Sequence, residues 1–308
     1  MENLYKDYKI IWHCFNPSLE LDNMINTIKN FLKGYQYSID KYNNIFIGDF
    51  SKNRPCLIAH LDSVHNRKST KILFKNNILK ANHGIGGDDK CGIVAILEIL
   101  KQNKNVNAIF CSDEEIGGIG ASKIKSKILK NVSYFIEIDR GGKNDVIYES
   151  GYNKIASDDF IHALKPYVKK YNFKEDFGTF TDVNILTGIA KKSAINVSCG
   201  YYKAHTKNEY VNLDHLYHTI NFVNKIINNI REVYIWEDKQ EYNIDECEDY
   251  YKDDTLEHIL EKAYYLNYDD DIIKLICKAY DVGYWESHSE IIKMNKRGSK
   301  RNKLHTRY

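Results

Sequence analysis

No stretch of the 308-residue sequence approaches the roughly 18 consecutive apolar residues that a membrane-spanning helix needs. The N-terminal MENLYKDYKIIWHCF carries no cleavable signal pattern, so a cytoplasmic location is the expectation. The seven cysteines include no Cys-x-x-Cys pair, and their odd number argues against a closed disulfide framework. Cys56, Cys91, Cys111 and Cys199 stand in apolar surroundings and read as small core residues. A dominant charge is missing too. The 44 basic and 42 acidic residues leave a formal +2, which gives no global pull toward nucleic acid or a membrane.

What is present is a chain that is 43% hydrophobic and long enough to bury a sizeable core. Leu19, Leu21, Met24, Ile25, Ile28, Phe31 and Leu32 recur at a helical period across 18–33, with Ser18 as the expected N-cap and Gly34 as the stop. Short β-type runs follow at 44–50, 56–62, 106–115, 132–139, 145–150 and 192–200. Helical patterns at 89–102, 120–130, 157–171 and 213–231 lie between or after them. This alternation predicts an α/β fold: a mixed, mostly parallel central sheet with helices on both faces.

The composition shifts after Trp236. Residues 237–271 hold fourteen Asp/Glu against three Lys/Arg, whereas 293–308 hold seven Lys/Arg and no acid. The expected organisation is a catalytic domain over 1–236, an acidic helical appendage over 237–292 and a solvated basic tail over 293–308. Short basic termini commonly have no specific partner, so nucleic acid is not the expected ligand of the tail.

The chemistry gathers where strands end. His60 and Asp62 close one apolar run, Glu114 and Glu115 another, and Asp139 a third, while Asp88 and Asp89 open a helical pattern and His205 stands in a late loop. Taken singly, each has an ordinary explanation: a helix cap, a solvated charge or a core histidine. Together they fall at the carboxyl ends of strands, where an open α/β sheet forms its ligand crevice. The i, i+2 spacing in an extended segment turns His60 and Asp62 to one side, so the carboxylate can orient the imidazole or share its metal site. Two imidazoles and three carboxylates suffice for two divalent ions with one bridging acid, leaving a further carboxylate for proton transfer. Such N and O ligands suit Zn²⁺, with Co²⁺ or Mn²⁺ able to occupy similar sites. The chemistry implied is amide hydrolysis.

The order His-x-Asp, Gly-x-Asp-Asp-Lys-x-Gly, Asp-Glu-Glu-Ile-Gly, Ile-Asp and a late His-Thr resembles the co-catalytic zinc exopeptidases of clan MH, over about residues 55–232. That family includes aminopeptidases, tripeptidases, carboxypeptidases and N-acyl amino acid deacylases. The resemblance implies that His60 binds one metal and His205 the other, that Asp88 bridges both, and that Glu115 and Asp139 complete the two sets. It implies Glu114 as general base, Asp62 as the residue orienting His60, and a cis peptide between Asp88 and Asp89. Asp89 is expected to support the turn.

Many relatives insert a lid or dimerisation domain, but the intervals 139–205 and 62–88 leave no room for a separate one. The expectation is therefore a lid-less catalytic domain. Asp182, in GTFTDVN, is expected either to meet a substrate's free α-amino group or to cap a helix, and Arg140 either to hold a substrate carboxylate or to form a structural ion pair. The leading function is an aminopeptidase acting on short peptides, followed by an N-acyl amino acid deacylase with the same chemistry. A non-catalytic binding protein on this fold is the alternative from another class.

Overall fold

The computed structural model describes residues 2–150 and 153–237. The expected acidic appendage and basic tail therefore lie outside the described residues, save Glu237.

In chain order the elements begin with α1 (Glu2–Asp7), α2 (Lys9–Trp12) and α3 (Asp22–Phe31), then β1 (Tyr37–Ile39), β2 (Ile45–Ile47) and β3 (Arg54–His60). A hairpin of β4 (Ile72–Lys75) and β5 (Ile78–Ala81) leads to α4 (Gly87–Gln102), β6 (Asn107–Cys111) and two single-turn helices, α5 (Ile119–Ser122) and α6 (Ser126–Leu129). Next come β7 (Val132–Arg140), β8 (Asp145–Ser150), β9 (Asn153–Lys154), α7 (Asp158–Lys170), β10 (Lys174–Gly178) and α8 (Asp182–Ala190). The described part closes with β11 (Ala194–Ser198), β12 (Tyr201–Tyr202), β13 (Tyr210–Asn212) and α9 (Leu213–Asn229).

The main sheet runs β1-β2-β6-β3-β7-β11-β8-β10, with β9 paired to β8. Its centre is parallel, because β6, β3, β7 and β11 all run the same way. The edges are mixed: β2 is antiparallel to β6, and β8 is antiparallel to β11. Strand β3 shows why its sequence is apolar throughout. Leu57 and Ala59 enter one core, with α3, α4, α7 and α9, while Cys56 and Ile58 enter the other, beneath α5, α6 and α8. Two covered faces leave no polar side to the strand.

The helix expected from Ser18 starts later. Leu21 is its N-cap, without a side-chain cap bond, and the Ser18 hydroxyl instead donates to Asp62 at 2.7 Å. Gly34 adopts the left-handed φ of 90° after the helix ends, as its position suggested. The interval 62–88 holds no separate domain, yet it is not bare. Its hairpin joins a second, antiparallel sheet in the order β12-β13-β5-β4, and the turn between β12 and β13 carries His205. No helix among the described residues is long and apolar enough to cross a membrane.

Candidate metal centre

Adjacent parallel strands bring the acidic ends together. Because β3 lies between β6 and β7, the segments after Cys111 and the end of β7 flank His60. Helix α4 then delivers Asp88 across the top, and the small sheet delivers His205.

Asp88 faces both imidazoles with different oxygens. Its Oδ1 lies 2.9 Å from Nε2 of His60, and its Oδ2 lies 3.1 Å from Nε2 of His205. Asp139 Oδ2 stands 3.8 Å from the same nitrogen of His60, and Glu115 Oε2 stands 3.2 Å from that of His205. The result is two half-sites, His60 with Asp139 and His205 with Glu115, sharing Asp88. All but His205 are largely shielded from solvent; its side chain is 46% exposed.

The electrostatics are those of a site built around positive charge. Burial, followed by the charges of Asp88 and Asp89, pushes the Asp139 carboxyl well above its ordinary value. Burial and Asp88 raise Glu115. Burial would lower His60, but Asp139, Asp62 and Asp88 outweigh it and lift the imidazole well above its usual range. Hydrogen bonds to Asp88 and then Glu115 carry His205 up to about 11. Buried carboxylates at this density repel one another unless cations intervene. Oε1 of Glu115 is also buried without a hydrogen-bond partner among the described residues. The donor set and this orphaned oxygen fit divalent metal ions.

Asp89 is close enough to His60 and Asp139 to form a possible third ligand of that group. Its oxygens are already committed, one accepting the backbone N–H of His60 at 3.3 Å and the other that of Gly92 at 2.8 Å. It ties α4 to β3, and the Asp88–Asp89 bond is cis. A side chain at Gly92 would come within 2.4 Å of both the Asp89 carboxylate and the Ile138 carbonyl, so the helix reaches the sheet only with glycine there.

Asp62 has no exposed surface and binds in several directions. Oδ1 faces Nδ1 of His60 at 3.3 Å and accepts the Glu114 amide at 2.9 Å, while Oδ2 accepts the Glu115 amide at 3.2 Å. Glu114 itself is raised well above the ordinary carboxylate range by burial, reinforced by Glu115, Asp62 and Asp88 against the opposing pull of His60.

Two supporting residues carried no sequence signal. Glu209 is buried, and its carboxylate accepts from His65 Nε2 at 2.7 Å, from the Gly86 amide at 2.7 Å and from the Asp88 amide at 3.1 Å. The Tyr201 hydroxyl donates to Oδ1 of Asp139 at 3.2 Å. A lone acid in a loop and a tyrosine in a two-residue strand acquire meaning only through the fold.

The structure bears on the alternatives held open for Asp182 and Arg140. Asp182 is fully buried at the start of α8, where Thr181 and Asn184 form the capping box, so its carboxylate presents no surface to a free amine. Burial and the charge of Glu114 raise it well above the ordinary range. Arg140 donates to Asp176 at 2.8 Å and lies 3.9 Å from Asp145, which is the structural ion pair rather than a free carboxylate clamp.

The model of Peptidase family M20/M25/M40 matches residues 56–229. The chain belongs to this family. It is accordingly a metal-dependent hydrolase, and the matched span contains every residue of the centre. Among solved structures, the chain is similar to the aminopeptidase PepT of Bacillus cereus ATCC 10987, with 13% identity, a TM-score of 0.60, and 73% of this chain and 97% of that one covered. Aminopeptidase APDkam598 of the archaeon Desulfurococcus kamchatkensis gives 14%, 0.62, 75% and 96% for the same quantities. The TET1 peptidase of Pyrococcus horikoshii, which can assemble into a tetrahedron or a large octahedral shell, gives 14%, 0.59, 74% and 100%. TM-scores of 0.59–0.62 at 13–14% identity establish a shared fold alone. No curated protein sequence matches the chain.

Proposed function

We propose that this family member is an aminopeptidase that hydrolyses short peptides using two divalent ions, with Zn²⁺ the first choice. His60 and Asp139 would hold one ion, His205 and Glu115 the other, and Asp88 would bridge them. The observation that carries this reading is the split of Asp88, one oxygen toward each imidazole at 2.9 and 3.1 Å. When bound, the ions supply Lewis-acid polarisation of the scissile carbonyl and of water.

The protein's own groups do the rest. Glu114 accepts the proton of the attacking water and returns it to the leaving amine, a role its raised affinity for protons suits. Asp62 holds the His60 ring through Nδ1, which leaves Nε2 turned toward Asp88. Glu209 fixes the turn from which Asp88 projects.

An N-acyl amino acid deacylase is the second reading. It is favoured by the burial of Asp182, which removes the carboxylate expected to anchor a free α-amine. Metal content measured alongside hydrolysis of aminoacyl-anilide and acetyl-amino acid panels separates the two. About two ions per chain with chelator-sensitive release from leucyl-anilide is the expected result. Metal with activity on acetyl-amino acids alone selects the deacylase. Protein that holds no metal and stays inert with added zinc or cobalt overturns both readings in favour of a binding protein.

A further inference from the structure

Beside the turn that carries Asp88, a cleft opens between residues 12–16, the loop 63–69 and the turn 84–86. His13, His65, Arg67, Lys68 and Lys90 line it, and no carboxylate among the described residues does. Lys90 is the unusual member. It is only 5% exposed, and its ammonium makes one hydrogen bond, to the Ile85 carbonyl at 2.9 Å. An ammonium carries three donors, so two have no partner among the described residues.

A buried cation facing a neutral carbonyl is costly unless an anion compensates it. Burial pulls the Lys90 ammonium down to about 8, against the opposing attraction of Cys14 and Glu209. The Glu209 carboxylate, however, is engaged by His65 and the amides of Gly86 and Asp88, and no ion pair joins it to Lys90 among the described residues. Arg67 and Lys68 stand exposed at the rim, also without an ion pair among the described residues. Ser63, 3% exposed, adds a hydroxyl whose oxygen receives the His65 amide at 3.5 Å and whose proton has no acceptor among the described residues. Gly86 holds a left-handed φ of 63°, and a side chain there would come within 3.2 Å of the Lys90 nitrogen, so glycine keeps the cation accessible from the cleft.

We propose that this cleft binds a small oxyanion, a carboxylate or phosphate group, between Lys90 at its floor and Arg67 and Lys68 at its rim. Two sources share this chemistry: a free phosphate-bearing metabolite, or the C-terminal carboxylate of a peptide substrate, the second of which rests on the peptidase reading. A guanidinium and two ammonium groups match either, with the fork of Arg67 suited to paired oxygens.

The full-length metal-loaded protein and its Arg67→Ala/Lys68→Ala variant provide the test, since both rim side chains are exposed and their removal spares the core. Inorganic phosphate is titrated by calorimetry, and KM is compared for leucyl-glycyl-glycine and its C-terminal amide. Phosphate binding that weakens about tenfold or more in the variant, with both KM values unchanged, supports a free phosphate ligand. A similar rise in KM for the free acid, with the amide unaffected, supports the substrate carboxylate. Phosphate binding and KM values that are identical in the two proteins overturn the proposal. A chain without peptidase activity still reports through phosphate, which separates failure of this inference from failure of the aminopeptidase reading.

Discussion

The Asp62 oxygen that faces the His60 ring at 3.3 Å also accepts the backbone N–H of Glu114 at 2.9 Å. One carboxylate therefore sets both the orientation of a proposed metal ligand and the turn that bears the proposed base. Asp62→Ala removes both supports and strands the Ser18 hydroxyl and two amides in a buried site. Metal affinity is expected to fall about 10–100-fold. Stability should drop by about 1–3 kcal/mol. Metal titration and denaturant unfolding read the two effects separately, and unchanged metal affinity would detach Asp62 from the centre.

Glu114 makes the opposite prediction for metal. Its side chain is assigned to proton transfer and not to coordination, so Glu114→Ala should keep full metal content while turnover falls by about 10²–10⁴. Wild-type turnover in this variant would remove Glu114 from the mechanism. Loss of metal would recast it as a ligand.

Glu209 tests whether the Asp88 turn needs external support. Glu209→Gln keeps the size but replaces one acceptor oxygen with an NH₂ group, which faces a donor at either position: His65 and Gly86 on one side, Asp88 on the other. A loss of about 1.5–3 kcal/mol of stability is expected, the range for a hydrogen bond to a charged group. Metal affinity should weaken with it. A variant that binds metal as tightly as the wild type would show that the turn holds its own geometry.

Metal binding should release protons. Asp88 and Glu115 raise His205 to about 11, so this imidazole carries a proton in the metal-free protein near neutrality. Coordination requires the neutral ring, so the ion and the proton compete. A raised value favours the proton at low pH, and affinity must therefore increase as pH rises toward 11. Calorimetric titration at pH 7 in two buffers of different ionisation enthalpy measures the release directly. No release there would be incompatible with His205 as a ligand.

Much of this is legible in the sequence alone. The apolar runs ending in His60, Cys111 and Asp139 became β3, β6 and β7 because strands covered on both faces need apolar side chains at every position. Their acidic ends were visible because charge directly after such a run is conspicuous. The small antiparallel sheet was not. Its strands are two to four residues long, and Leu73 and Lys80 look to solvent, so no periodicity accumulates. Asp182 is hard to place from sequence for a related reason: the cap of α8 is Thr181, one residue earlier, and the carboxylate that follows is buried. The region 120–130 read as one helix and formed two single turns, α5 and α6, separated by Lys123–Lys125.

The imidazoles at positions 60 and 205 stand 145 residues apart in the chain and meet only through two different sheets. An unfolded chain therefore has no weakened version of this centre, and an ion that enters it selects the folded state alone. Under that linkage, a free ion at a hundred times its dissociation constant adds about 2.7 kcal/mol to folding. Metal supply would then govern how much of the chain survives as folded protein as well as how fast it works.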